Sequence, residues 1–358
     1  MYKANVCAKV CATVCGSSQG RLRLATMREV AAQAGVSVTT VSHVINETRF
    51  VSEELVQRVQ QAIQNLGYQP DHRARSLRRG SSETLAVLVS DISNPFFPQV
   101  VRGIEDAARE KGYSVLLTNT DENPDAERRN LELMLERRVD GLIVAPTAEG
   151  NDTLIPLVEQ GTPLATVDRR MDLDVDQIYS DNEEAAYRAV KHLIDLGHRR
   201  IGIIVELLGI RTFDERLAGC QRALREAGIE PSDRYVRQAG IEVEGATTAT
   251  RSLLENSEPV SALFATNNLM TLGVLHYLKE SRTKCPDTIS LVGFDDPEWA
   301  SAVNPAITSI AQQPYEMGYQ AACMLISRID KEDGPKQHIC LPCELRTRES
   351  TGPCTKTG

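Results

Sequence analysis

The chain has 358 residues, of which 41% are hydrophobic and 25% are charged, and its formal net charge is −9. This length exceeds one ordinary domain, and the composition is that of a soluble globular protein rather than a fibrous or disordered one. No apolar run approaches the ~18 residues of a membrane-spanning helix, so the sequence predicts no membrane segment.

The charge is unevenly distributed along the chain. The first 82 residues contain eleven Lys and Arg against five Asp and Glu, although the whole chain has a pI near 5.4. A basic N-terminal part on an acidic body suits binding to nucleic acid at one end.

Residues 1–25 are expected to form a disordered extension. They do not resemble a secretory signal, because Lys9 interrupts a short apolar stretch. Cys7, Cys11 and Cys15 repeat at four-residue steps with no fourth ligand nearby, and Cys340 and Cys343 form a C-x-x-C. These are weak patterns for a metal site, and reduced thiols in a cytosolic protein are the simpler interpretation. We therefore expect no metal and no cofactor.

Two short amphipathic helices are predicted between residues 26 and 46. Thr26 and Glu29 have the spacing of a capping box, Gly35 permits a tight turn, and Ser37 is placed to cap the second helix. The outward face of the second helix shows short side chains, which are Val38, Thr39, Ser42, His43 and Asn46. Two helices with such a turn form the helix-turn-helix pattern, whose second helix enters the DNA major groove. The alternative is a plain surface helix turn in an all-α domain.

A third helix is predicted over residues 52–65, followed by a basic segment over residues 71–82. Together with the run Thr39-Thr40-Val41-Ser42-His43-Val44-Ile45-Asn46, this stretch resembles the DNA-binding headpiece and hinge of the LacI/GalR family, especially its purine and ribose repressor branch. The resemblance implies a DNA-binding domain over residues 26–70 and a hinge helix or linker over residues 71–82. A flexible linker that makes only phosphate contacts is the alternative for the second segment.

The same resemblance implies the residues that contact DNA. Leu77 matches a leucine that wedges into the minor groove and kinks the duplex. We predict in addition that Arg78, Arg79 and Thr26 position the DNA backbone. The predicted DNA-binding residues are Thr26, Ser37, Val38, Thr39, Thr40, Ser42, His43, Asn46, Arg75, Leu77 and Arg78.

From residue 83 strands alternate with helices. Strands are predicted over residues 84–90, 113–119, 141–145, 163–168, 201–205, 262–266 and 289–294. Helices are predicted over residues 97–111, 126–137, 185–196, 212–227, 246–254 and 269–280. This alternation predicts an α/β fold with parallel sheets and helices on both faces, in two similar halves.

The body resembles the type I periplasmic sugar-binding proteins, a fold that the repressor family shares. The resemblance is carried by runs such as Asn94-Pro95-Phe96-Phe97, Ser180-Asp181-Asn182 and Gly293-Phe294-Asp295-Asp296. It implies an effector-binding and dimerisation domain over residues 83–350 in two lobes. Lobe one would cover about 83–182 and 313–340, lobe two about 183–312 and 341–350, and residues 351–358 would be a tail.

Polar and aromatic side chains follow the predicted strands, at the sheet edge where open α/β folds bind ligands. An aromatic pair with charged and amide groups suits a monosaccharide, which has apolar C–H faces and a belt of hydroxyls. Ile241 stands where the ribose-binding branch has an aromatic residue, which leaves the identity of the sugar open. The resemblance implies these effector-binding residues: Asn94, Phe96, Phe97, Asp168, Arg169, Arg216, Asn267, Phe294, Asp295 and Gln312.

The sequence therefore predicts a DNA-binding transcriptional regulator, a repressor of carbohydrate catabolism or uptake genes. We expect a homodimer on a near-palindromic operator, nucleoid-associated in the cytoplasm, with a pentose such as ribose or a related monosaccharide as effector. A purine-responsive, corepressed regulator is the alternative within this class. A periplasmic-type transport protein is the alternative in another class, but it would need a cleavable signal and no headpiece. Asp168 and Asp295 could pair as glycosidase carboxylates, yet no other motif favours an enzyme.

Overall fold

The computed structural model describes residues 25–46, 49–68, 81–148, 150–331 and 334–354. The chain forms two compact units, Met1–Gly80 and Ser81–Gly358. The predicted hinge residues Arg75, Leu77, Arg78 and Arg79 lie outside the described residues, as do Cys7, Cys11 and Cys15.

The first unit contains three short helices, α1 (Met27–Ala34), α2 (Val38–Asn46) and α3 (Glu53–Leu66). The predicted capping box at the start of α1 is confirmed, because the Glu29 amide donates to Thr26 Oγ1 at 3.3 Å and the Thr26 amide donates to Glu29 Oε2 at 2.7 Å. Gly35 ends α1 with a φ of 62°, a left-handed conformation that favours glycine.

The three helices enclose a small apolar core. Its buried members are Val30, Ala31, Ala34, Val41, Val59, Ala62 and Tyr68. Arg58 of α3 holds the turn from outside this core by donating from Nη2 to the Ala34 carbonyl at 2.6 Å. The turn between α1 and α2 is therefore fixed both by packing and by a hydrogen bond from the third helix.

The second unit contains two parallel-dominated sheets, each with helices on both faces, which confirms the predicted α/β fold class. The strands of the first sheet are β1 (Thr84–Val89), β2 (Ser114–Asn119), β3 (Gly141–Val144), β4 (Leu164–Asp168), β5 (Asp176–Ser180) and β11 (His338–Leu341). Their order is β11-β5-β4-β3-β1-β2, and all neighbours are parallel. The helices of this lobe are α4 (Phe96–Glu110), α5 (Pro124–Glu136), α6 (Gly150–Glu159) and α12 (Pro314–Ile329).

The second sheet repeats this architecture with one antiparallel edge pair. Its strands are β6 (Ile201–Val205), β7 (Val236–Gln238), β8 (Ala262–Ala265), β9 (Ser290–Phe294), β10 (Thr308–Ala311) and β12 (Glu344–Arg346). Their order is β12-β10-β9-β8-β6-β7, and only the β10–β12 pair is antiparallel. The helices of this lobe are α7 (Asn182–Asp195), α8 (Arg211–Glu226), α9 (Val243–Leu254), α10 (Asn268–Ser281) and α11 (Glu298–Ala302).

Alternating side chains of the first strand show how each sheet becomes the centre of a lobe. Leu85, Val87 and Val89 pack into the core under α4 and α12, whereas Ala86 and Leu88 pack into the core under α5 and α6. A strand that is apolar on both faces belongs to a parallel sheet covered on both sides.

The chain passes from one sheet to the other three times. It does so between β5 and α7, between β10 and α12, and between β11 and β12. Residues 351–354, placed in the tail from the sequence, belong to the fold instead. The Cys354 amide donates to the Leu196 carbonyl at 2.8 Å, and His192 Nε2 lies 3.0 Å from Thr351 Oγ1. These residues are therefore hydrogen bonded to α7 and to the loop that follows it.

The helices α4 and α12 meet without side chains between them at one point. A Cβ built on Gly318 would lie 1.9 Å from the Val100 carbonyl oxygen, and one built on Gly103 would lie 2.1 Å from the Tyr315 carbonyl oxygen. Both distances are far below van der Waals contact, so the two backbones can approach this closely only because both positions are glycine.

Among the residues with described positions, no helix is both long and apolar enough to cross a membrane.

Candidate ligand cleft and candidate nucleic-acid interface

Nine of the ten residues predicted to bind an effector line one cavity of the second unit, at the carboxyl ends of the strands. The cavity is lined by Asn94, Phe96, Phe97, Asp168, Arg169, Arg216, Asn267, Asp295 and Gln312, together with Ser90, Glu122, Glu206, Thr212 and Phe213. Phe294 does not line this cavity. Its ring is fully buried, and the guanidinium carbon of Arg216 lies 3.7 Å from the ring centroid. Phe294 therefore supports Arg216 from behind.

The first lobe supplies an aromatic wall. The rings of Phe96 and Phe97 are 5.2 Å apart and meet edge to face at 81°. Asn94 fixes this wall, because its side-chain oxygen accepts a hydrogen bond from the Phe96 amide at 3.1 Å. The same oxygen accepts from Asn268 Nδ2 of the second lobe at 2.8 Å, so Asn94 also links the two lobes across the cleft.

Asp168 presents a buried carboxylate to the cavity. The residue is 7% exposed and has a left-handed φ of 68°. Its carboxylate accepts no hydrogen bond from any described residue. Its nearest cationic atom is Arg169 Nε at 3.5 Å. Burial raises the pKa of Asp168 above its usual range, although the charges of Arg169 and Arg216 oppose this. A buried carboxylate without donors is costly, so hydroxyl donors of a ligand would stabilise it.

Arg169 is already paired. It donates to both carboxylate oxygens of Glu122, at 2.5 and 2.8 Å, and to the Pro146 carbonyl at 2.5 Å. Burial would raise the pKa of Glu122, but the charge and hydrogen bonds of Arg169 outweigh it, so the pKa lies below the usual range. The pair thus forms a fixed, ionised element of the cleft wall, and its bidentate geometry is the one that arginine favours with carboxylates.

Arg216 is held in place by the second lobe and by the first chain crossing. Its Nε donates to Asn182 Oδ1 at 2.9 Å and its Nη1 donates to the Thr266 carbonyl at 2.6 Å. Nη2 donates to no described residue. The guanidinium is therefore oriented before any ligand arrives, with one nitrogen left for it.

Asp295 and Gln312 connect the cleft to the second crossing. Asp295 accepts from Gln312 Nε2 at 2.6 Å and from Asn268 Nδ2 at 2.8 Å. Gln312 in turn accepts from the Ser180 hydroxyl at 2.6 Å, at the end of β5. Asn267 caps α10 through the Met270 amide at 2.8 Å and donates from its Nδ2 to Glu206. Ligand-facing groups and crossing segments thus share one hydrogen-bond network.

Two acidic residues of the cleft were missed from the sequence, Glu122 and Glu206. Glu206 directly follows β6, so the strand-end rule that selected Asp168 and Asp295 would have selected it as well. Glu122 lies three residues beyond the end of β2 in a left-handed turn, with a φ of 55°. Nothing in its local sequence shows that it folds back onto Arg169.

The first unit exposes the start of α2. Ser37, Val38 and Thr39 are exposed, and Thr40, Ser42, His43 and Asn46 are half-buried. Ser37 caps the helix as predicted, because Thr40 N donates to its hydroxyl at 3.0 Å. Asn46 Nδ2 donates back to the Ser42 carbonyl at 2.8 Å, and Thr26 is engaged in the capping box of α1. Among the described side chains at this surface, Val38 and Thr39 make no hydrogen bond and are the most available for contact.

Both units match known families. Residues 26–71 match the model of bacterial regulatory proteins of the lacI family, and residues 190–351 match a periplasmic binding protein-like domain. The HTH-type transcriptional repressor PurR of Aliivibrio salmonicida is 34% identical over 330 residues, covering 91% of this chain and 99% of that protein.

Solved structures agree with this assignment. A lac repressor dimer bound to operator and the anti-inducer ONPF matches with a TM-score of 0.84 at 26% identity, covering 92% of this chain and all of that one. A LacI family regulator from Enterococcus faecium with bound ribose matches with a TM-score of 0.70 at 29% identity, covering 75% of this chain and 99% of that one. The chain therefore belongs to the LacI family of bacterial regulatory proteins and is a DNA-binding transcriptional repressor.

Proposed function

We propose that this repressor is controlled by a sugar-class ligand, a polyol of monosaccharide size, bound between the two lobes. The observation that carries this proposal is the buried carboxylate of Asp168, which faces the Phe96–Phe97 wall without a hydrogen-bond donor. Hydroxyl groups would supply donors to Asp168 and acceptors to Arg216, while C–H faces of a sugar would cover the aromatic rings. The regulator with bound ribose supports this ligand class by similarity.

A purine-responsive regulator is the second candidate. It is favoured by the 34% identity to the repressor named PurR. The cleft itself favours the polyol, because its polar lining is rich in carboxylates, and those accept hydrogen bonds from hydroxyls.

On the DNA side we propose that a homodimer binds a near-palindromic operator in the cytoplasm, regulating genes of carbohydrate catabolism or uptake. One headpiece offers few base contacts, and a two-fold protein dimer matches two half-sites. The dimeric lac repressor on its operator supports this arrangement by similarity. In this proposal Thr39, Thr40 and His43 read base edges, Ser37, Val38, Ser42 and Asn46 line the same surface, and Thr26 contacts the backbone.

The ligand class is tested by the effect of candidate compounds on the affinity of the protein for its operator. The operator is first selected from random duplexes with the full chain, and binding is then followed by fluorescence anisotropy with pentoses, hexoses, their phosphates and purine bases. We expect at least one sugar-class compound to change operator affinity, either releasing the repressor or strengthening its binding, since both use this architecture. A response to a purine base with none to any sugar would replace the proposed effector and leave the repressor assignment standing.

The base-reading role is tested at Thr39. Thr39→Ala should cost about 1–3 kcal/mol of operator binding and relax the preference at one base pair of each half-site, because it removes a hydroxyl and a methyl from the groove surface. Binding is measured against the operator and its single-base variants at several salt concentrations. Gln64→Ala, at the exposed end of α3, serves as the control and should change neither affinity nor preference. An even loss over all sequences with a smaller salt slope would instead make Thr39 a phosphate contact.

A further inference from the structure

An acidic cavity, here called the mouth, adjoins the ligand cleft and shares four lining residues with it, which are Ser90, Asn94, Glu122 and Glu206. This mouth is a cavity of about 380 Å³, and its lining includes the carboxylates Asp91, Asp121, Glu122, Glu206 and Glu242. No Lys, Arg or His is among the described residues that line it. A lining of one charge sign concentrates cations and repels anions beside the cleft.

Four of these carboxylates are neutralised or solvated. Glu122 is paired with Arg169, and Asp91 accepts hydrogen bonds from the amide and hydroxyl of Ser93 at 2.8 and 2.6 Å. Asp121 and Glu242 are exposed at the rim. Water and counterions solvate such groups at little cost.

Glu206 differs from the others because it is buried and has no described cationic partner within ion-pair distance. It is 7% exposed, lines both the mouth and the cavity that contains Asp168, and forms no ion pair within 4 Å with any described residue. Its Oε2 accepts from Asn267, whereas Oε1 accepts from no described residue. Burial, followed by the charge of Glu122, raises the pKa of Glu206 to about 7.

One oxygen of the buried Glu206 carboxylate accepts no hydrogen bond from any described residue. Such a carboxylate is stabilised best by a group that supplies both a positive charge and hydrogen-bond donors. An ammonium group does so, because it is a compact positive charge with three donors. We propose that the ligand of this cleft is an amine-bearing polyol, such as an amino sugar, whose nitrogen binds Glu206 while its hydroxyls face Asp168 and Arg216. This inference rests on the proposed polyol class and narrows it.

The same lining disfavours the other charge classes. A sugar phosphate would place its anion among five carboxylates, with Arg169 already paired to Glu122. A neutral sugar would leave Glu206 either ionised, with Asn267 as its one hydrogen-bond donor among the described residues, or protonated. The mouth therefore selects by repulsion of anions as well as by attraction of cations.

Calorimetry on the full chain with matched probes tests the proposal. The probes are glucosamine, glucose and N-acetylglucosamine, and 1-amino-1-deoxyribitol with ribitol. We expect an amine-bearing probe to bind about tenfold or more tightly than its neutral parent, and acetylation to remove the gain, since a bond to a charged group is worth at least about tenfold in affinity. Glu206→Gln should abolish the preference, whereas Glu244→Gln, which is exposed on α9 and outside the lining of the mouth, should preserve it.

A second readout does not depend on any variant folding. Below pH 7 the Glu206 carboxylate of the free protein takes up a proton, so the affinity for the ammonium should fall up to tenfold per pH unit as the pH drops further. Above pH 7 the affinity should stay level while the amine remains protonated. The charged groups that face Glu206 are Glu122 and Arg169 from the first lobe and Arg216 from α8.

The outcomes separate this inference from the proposed function. Equal or tighter binding of the neutral parents, with operator affinity responding to them, would overturn the amine and leave the polyol-controlled repressor intact. A preference for amines that survives in Glu206→Gln and shows no fall below pH 7 would overturn the assignment to Glu206. Binding of none of the probes or of the other sugars, with no change in operator affinity, would overturn both proposals.

Discussion

Replacing Arg216 with alanine should abolish the response of operator binding to the effector while leaving operator affinity without effector unchanged. The side chain lies in the second unit, whereas the DNA-reading surface belongs to the first. We expect effector affinity to fall by about a hundredfold or more. One charge-assisted hydrogen bond to the ligand contributes about 1.5–3 kcal/mol, and the buried Asp168 would also lose a nearby positive charge.

The measurement compares effector titrations of operator complexes for three proteins. Arg216→Ala should not respond, and Arg216→Lys should recover a part of the response because it restores the charge without the planar fork. Arg222→Ala is the matched control, since Arg222 lies on the same helix but pairs on the surface with Glu183 and Glu184. A normal effector response of Arg216→Ala would remove Arg216 from the ligand site. Thermal unfolding distinguishes a lost response from a lost fold.

Gly318→Ala should destabilise the second unit by about 2 kcal/mol or more. In an ordinary helix interior the same substitution would gain about 1 kcal/mol from helix propensity. Here the new methyl would lie 1.9 Å from the Val100 carbonyl oxygen, so the two helices must separate, and overpacking of this kind costs about 3 kcal/mol. The steric effect outweighs the propensity, and the net sign is a loss.

The expected loss corresponds to a fall in Tm of about 4–8 °C for a unit of this size, measured by circular dichroism or calorimetry. Ser327→Ala, on the same helix and partly exposed, is the control and should shift Tm by little. Gly103→Ala should behave like Gly318→Ala, because it meets the Tyr315 carbonyl from the opposite side. A raised Tm in either glycine variant would contradict the backbone-to-backbone contact.

The regular elements could be predicted where local signals agree. The capping box of Thr26 and Glu29 marked the start of α1, and the uniformly apolar run from Leu85 to Val89 marked a strand buried on both faces. Boundaries were less certain. Helix α5 begins at Pro124, two residues earlier than predicted, because Asn123 caps it by accepting from the Asp125 and Ala126 amides at 2.9 and 3.0 Å.

The missed elements depend on partners distant in the chain. Strand β5 begins with Asp176 and Gln177, which are polar yet fully buried. Asp176 is neutralised by Arg328 at 2.8 Å, 152 residues away, and Gln177 bonds to the Met171 and Leu173 carbonyls at 3.0 Å. Strands β7, β10, β11 and β12 and helices α6, α11 and α12 were not assigned either. Helix α6 contains Pro156, a residue that disfavours a helix interior.

The candidate cleft was likewise predictable where the prediction needs only strand ends and not where it needs contacts between distant residues. Nine of the residues predicted from the resemblance line one cavity. The carboxyl ends of parallel strands meet at one edge of a sheet whatever the details of packing. The resemblance also named Phe294, whose buried ring packs against Arg216 and does not line that cavity. The resemblance missed Glu122, because its pairing with Arg169 follows from a contact between elements and not from its local sequence. It also missed Glu206, although that residue directly follows β6 and meets the strand-end rule.

The position of Gln312 has a consequence for redesigning this repressor as a sensor. Gln312 lies at the second chain crossing and bonds both to Asp295 in the cleft and to Ser180 beside the first crossing. Changing such a residue to admit a new compound therefore also alters the stiffness of the joint between the lobes. Affinity and dynamic range cannot be tuned separately there. Libraries for new specificity are better placed at the mouth, around Ile241, which is exposed and takes no part in the hydrogen bonds that Gln312 makes with Asp295 and Ser180.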